Sequence, residues 1–149
     1  MTLDIAPGAP VLIDGLRYTA EDHSSFHDID FRLDIVRLTG PSPAHECWLV
    51  AVLPEPYLML LHPLGQEWLA TPSTTFVHEG EIFRGYYAGS AHRVRRTHQG
   101  RTKDGRMDYQ LLRSDSGRVL LVISRNDEAQ AWVGGTLPIG AVELPERSA

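Results

Sequence analysis

The chain has 149 residues, of which 42% are hydrophobic and 22% charged, with a formal net charge of −5. This is the balance of one folded globular domain, and no apolar run nears the ~20 residues of a membrane-spanning helix, so no membrane role is expected. The single cysteine, Cys47, excludes an internal disulfide and a Cys-rich zinc site, and the N-terminus lacks the basic start and apolar centre of a secretory signal; a cytoplasmic location is the expectation.

In chain order, short apolar segments rich in β-branched and aromatic residues alternate with turn residues, the pattern of an all-β protein. Strands are predicted near Val11–Ile13, Leu16–Ala20, Phe31–Thr39, Glu46–Leu53, Tyr57–His62 and Glu67–Ala70. A second series follows near Thr75–His78, Glu81–Tyr87, His92–His98, Arg106–Arg113, Arg118–Ser124 and Ala129–Val133, with Ala141–Leu144 as an added edge. Cys47–Leu53 and Val119–Ile123 are apolar on both alternating faces, which suits strands covered on both sides at the centre of the molecule. Asp104-Gly105 is a hairpin signal, and Ser73-Thr74-Thr75 is the expected hinge between the two series. No segment has convincing helical periodicity; Asp22 to Asp30 has room for a turn or two. The tail from Pro145 is expected to be loose.

The two series read as diverged copies of one unit. Val11 to Tyr18 lies over Phe76 to Phe83, Arg32-Leu33 over Arg93-Val94, and Trp48 over Tyr109. Leu58 to Leu61 lies over Val119 to Val122, and Gln66 to Leu69 over Gln130 to Val133. One compact domain over 1–149 is therefore expected, with repeats at 8–72 and 73–145, because a half of this size buries too little surface to stand alone. The expected fold is two antiparallel meanders related by a pseudo-twofold axis, packed as a sandwich or closed as a barrel. Charge divides unevenly: ten acidic and three basic residues in 1–75 give −7, and nine acidic and eleven basic residues in 76–149 give +2. Thirteen arginines against one lysine and one asparagine read as the base composition of a GC-rich bacterial genome.

Three stretches together resemble the bacterial family called domain of unknown function 4178: Val11 to Tyr18 with its Asp14-Gly15, the Trp48 strand with the turn and apolar strand after it, and Glu128 to Gly134 around Trp132. The resemblance implies a small bacterial β-domain in two tandem copies with no assigned activity, and it transfers no active-site residue. The acidic segment Asp22 to Asp34 departs from it, where a plain strand connection is expected.

Four constellations could carry chemistry. His23 and His27, four apart, would share a helical face and could chelate a metal with Asp28 or Asp22, although a solvated loop is the plainer reading. Ser24 and Ser25 stand beside His27 and Asp28, but adjacent residues rarely form a nucleophile–base pair, and no Gly-x-Ser-x-Gly elbow is present. Arg93, Arg95, Arg96, Arg101, Lys103 and Arg106 form a basic cluster; on a strand Arg93 and Arg95 point one way and Arg96 the other. Such a patch suits phosphates or an acidic surface, while an acidic chain without stacking aromatics argues against nucleic acid. Trp68 and Trp132 are repeat partners that either fill the core or anchor a ligand.

No phosphate loop, dinucleotide fingerprint or zinc-protease motif occurs, so no cofactor and no catalytic residue is assigned. The sequence reading is a non-catalytic interaction or scaffold module, with another protein as partner, a homodimer as a further option, and the cleft between copies as its working surface. The rival classes are a metal- or small-ligand-binding enzyme built on His23–Asp30 with His78 or His98, and an anion or nucleic-acid binder built on Arg93–Arg106.

Overall fold

The structure is a computed structural model that describes residues 3–42, 46–53, 55–64, 75–125, 128–138 and 140–145. The strands are β1 (Pro10–Ile13), β2 (Leu16–Asp28), β3 (Phe31–Thr39), β4 (Cys47–Leu53), β5 (Leu58–Pro63), β6 (Thr75–His78), β7 (Glu81–Thr97), β8 (Gly100–Ser114), β9 (Arg118–Arg125), β10 (Glu128–Thr136) and β11 (Val142–Glu143). All pair antiparallel in one sheet of order β11-β1-β2-β3-β4-β5-β10-β9-β8-β7-β6. An extra pairing of β2 with β7 closes the eight strands from β2 to β5 and β7 to β10 into a ring. Of the two expected packings, the fold is therefore the closed barrel.

Each half is a five-stranded meander, and the two meet at β5–β10 and at β2–β7. The long strands β2 and β7 each do two jobs along one edge. The start of β2 pairs with β1 and the start of β7 with β6; past a register shift, each turns its edge to the other. The shifts fall at Ala20/Asp22 and at Gly85/Tyr87, 65 positions apart, and bends of this kind re-aim a strand. The first hairpin turns also correspond: Asp14 and Gly15 have φ of 50° and 80°, Glu79 and Gly80 of 50° and 79°. Two positive φ values in succession fit the tight turn whose twist matches the flanking strands. The later sequence correspondences join strands at different places, since Trp48 lies on β4 and Tyr109 on β8, the fourth and third strands of their meanders.

Alternation explains the core. Phe26, Leu33, Ile35, Val50, Val52, Leu61, Leu111 and Leu121 point into the barrel. The opposite faces of the same strands feed two outer clusters, one with Leu49 and Ala51 beneath Leu3 and Ile5, the other with Phe83, Leu120 and Val122. The strands predicted to be covered on both sides, β4 and β9, are so covered: Val50 and Leu121 face in, Leu49 and Leu120 face out, and all four have no exposed surface. One end of the barrel is plugged by Phe31 stacked on Tyr109, with ring centroids 4.3 Å apart, and by Tyr87 against Phe31 at 5.6 Å.

Three local expectations change. The segment from Asp22 is extended strand and not helical turn, because its alternate residues find partners on β3 and β7. The stretches 81–87 and 92–98 are one strand, and Asp104-Gly105 is not the hairpin tip. The tip is His98-Gln99, and Gly105, at φ 82°, lies where the β7–β8 register slips by one residue. The predicted strand Glu67–Ala70, Trp68 and the hinge residues Ser73 and Thr74 lie outside the described residues.

Candidate functional site

The end of the barrel opposite the aromatic plug is open. It holds a cavity of about 710 Å³, whose lining includes Trp48, Trp132, Phe26, Ile35 and Ile123. An eight-stranded barrel is just wide enough to be filled by side chains or to hold one small molecule, and this volume falls in the ordinary range of small-molecule sites. Trp48 and Trp132 flank it with ring centroids 6.2 Å apart and planes at 54°.

Four charged residues share the mouth: Arg37 on β3, Arg93 and Arg95 on β7, and Asp22 on β2. Each arrives by strand alternation, since Asp22 is on the face of Ser24 and Phe26, Arg37 on that of Leu33 and Ile35, and the two β7 arginines on that of Ala91. Asp22 Oδ2 accepts from Arg37 Nε at 3.2 Å and lies 3.6 Å from Arg95 Nη2. Arg37 also donates to Glu46 at 3.1 Å; burial lowers its pKa, but Glu46 and Asp22 outweigh that and raise it. Arg93 sits with its guanidinium 5.9 Å over the Phe26 ring, and Nε is 3.5 Å from Asp104 Oδ2. Burial pushes its pKa down; Asp104 opposes this and the neighbouring charge of Arg95 adds to it. The Nε atoms of Arg93 and Arg95 are buried and have no hydrogen-bond partner among the described residues. Asp22, Glu46 and Asp104 thus answer the three guanidiniums, and the buried Arg95 Nε remains as a donor to which an anion can bind.

Of the predicted binding residues, the mouth gathers Arg93, Arg95 and Trp132. Arg96, Arg101 and Arg106 are on the outer face of the same strands. His23 and His27 also face outward, whereas Asp28 faces the barrel interior, where the Tyr109 hydroxyl donates to its Oδ2 at 3.4 Å. His23 Nε2 is instead bonded to the wholly buried Asp34 at 2.9 Å, and His27 Nε2 to Ser25 Oγ at 2.7 Å. No group of three His, Cys, Asp or Glu side chains able to hold a metal occurs among the described residues. His78 lies beside Glu79 at the end of β6, and His98 is in the β7–β8 turn, 3.9 Å from Glu21. His62 is exposed on β5. Cys47 is buried, and burial, with Glu46 nearby, raises its pKa to about 11, so it rests as an unreactive thiol.

Arg37 and Gln130 went unmarked in the sequence, and Asp22 stood there only as a possible metal ligand. The signal for two of them was there in parity. Asp22 is four residues before Phe26, and Arg37 is two after Ile35, so each extends a buried face to a strand's end. Comparison with family models, with curated proteins and with solved structures gives no match for the chain.

Proposed function

We propose that this protein is a non-catalytic binding module whose barrel mouth takes a small amphipathic anion, a carboxylate or similar head on a flat or linear apolar body. The head meets Arg93 and Arg95, and the body enters between Trp48 and Trp132 toward Phe26 and Ile123. The observation that carries this reading is the buried Arg95 Nε donor, without a hydrogen-bond partner among the described residues, beside Arg93 at the rim of an aromatic cavity. A buried donor without a partner is costly, and an anion bound there removes the cost. The reading narrows the broader expectation of an interaction module to one ligand and one surface. That surface includes the meeting of the first half's Asp22 with the second half's arginines.

The test is a titration with 1-naphthoate followed by tryptophan fluorescence. Saturable one-to-one quenching is expected, and Arg95→Gln, at a half-exposed position, should weaken it by about 10- to 100-fold, the worth of one charge-assisted hydrogen bond. Equal affinity in the variant would refute the assignment of the head group to this arginine pair.

A further inference from the structure

The β2–β7 seam has a second cationic face. Because alternate residues point oppositely, Arg93 and Arg95 enter the mouth while Arg96 faces out. The register aligns outward residues in rows across four strands. One row is Arg32, His27, His92 and Arg106; another, four residues along β2 and β7, is His23, Arg96 and Arg101. Between them, Lys103 is paired with Val94. Arg96 and Arg101 are direct cross-strand partners, an arrangement that like charges make unfavourable. A depression of about 400 Å³ lies among Arg32, His27, Arg96 and Arg101.

Two carboxylates oppose this charge directly, and a third, Asp108, is the next outward residue after Arg106 on β8. Asp4 Oδ1 is 3.2 Å from Arg96 Nη1, and Asp34 is buried beneath Arg32, already engaged by His23 and by the Leu3 N–H. The five cations Arg32, Arg96, Arg101, Lys103 and Arg106 less these three leave +2 on a chain of −5. Arg101 and Lys103 have no ion-pair partner among the described residues.

We infer that this outer face is a second anion site, for a multiply charged phosphate group. Neighbouring strands are ~4.8 Å apart and alternate residues ~6.7 Å, so Arg96 across from Arg101 and Lys103 two residues along from it stand at the spacing of successive phosphates, and guanidinium forks match phosphate oxygens. Arg96 and Arg101 lose their mutual repulsion when an anion lies between them. The rows present no Phe, Tyr or Trp, so no platform for bases accompanies the charge, and the group recognised is the phosphate itself. A soluble polyphosphate and a phosphorylated lipid headgroup share that chemistry.

Calorimetric titration of the full chain with inorganic tripolyphosphate tests the site. Saturable one-to-one binding is expected, about tenfold weaker or more in the exposed double variant Arg101→Ser/Lys103→Ser and unchanged in the mouth variant Arg95→Gln, so this site and the mouth stand or fall separately. Sedimentation with phosphatidylcholine vesicles carrying phosphatidylinositol bisphosphate distinguishes the sources: stronger binding to the vesicles assigns the site to a headgroup, weaker binding to soluble phosphate. Absence of saturation, equal binding of sulfate at matched ionic strength, or an unaffected double variant would overturn the inference.

Discussion

Asp34 has no exposed surface, yet its carboxyl titrates below the ordinary value of 3.8. Burial alone would raise it; bonds from His23, from the Leu3 N–H and from Arg32 Nε at 3.0 Å outweigh burial. The residue thereby fastens the N-terminal segment over the outer face of β3. A depressed carboxylate contributes stability that is complete above its unfolded pKa and fades as pH falls through the folded one. Denaturant unfolding at neutral pH and at successive steps below pH 3.8 should thus show a loss of stability in the native protein that Asp34→Asn lacks. Asp34→Ala, which strands the buried Leu3 N–H and His23 and the half-buried Arg32, should cost about 3 kcal/mol at neutral pH. An alanine variant as stable as the parent would show that the cluster holds nothing together.

At the scale of elements, alternation was enough to locate most strands and to pick β4 and β9 as those buried on both sides, since seven and five consecutive apolar residues leave no solvent face. The histidine-rich part of β2 was not legible as strand. His23, Ser24 and Ser25 are polar yet buried, and what makes them strand is their pairing with β3 and β7, a tertiary fact. The same pairing explains why the mouth was only partly foreseen: Arg93, Arg95 and Trp132 stood out by type, but Asp22 and Arg37 join them only when β2 closes on β7. Sandwich and barrel share one strand pattern, so that choice rested on the same closure. The opposite closure, β5 with β10, depends on Gly134, where a Cβ would stand 2.0 Å from the Leu60 carbonyl oxygen and 2.9 Å from Leu61 Cα. Backbone cannot step aside as a flexible side chain can. Gly134→Ala should therefore destabilise by about 1–3 kcal/mol, read from the shift in urea midpoint, whereas Gly135→Ala, whose Cβ meets nothing within 4 Å, should cost less.

For the whole molecule, the uneven charge of the halves has a structural counterpart. The acidic half meets the basic half along β2–β7, where Asp22 faces Arg95, Asp4 faces Arg96 and Glu21 lies near His98. Exposed pairs of this kind contribute little stability singly, and closure rests on the ladder and on Phe26 beneath it. What the seam leaves over is the unused Arg95 donor at the mouth and cationic charge outside. With one end plugged by Phe31, Tyr87 and Tyr109, the barrel is a cup whose open end carries a charged rim. The measurement that bears most directly on this picture is a calorimetric comparison of decanoate with decylamine at equal concentration and low salt. The two share an apolar body and differ in the sign of the head. Saturable binding of decanoate with none of decylamine is the predicted result; equal binding of both, or of neither, would contradict an anion-selective mouth.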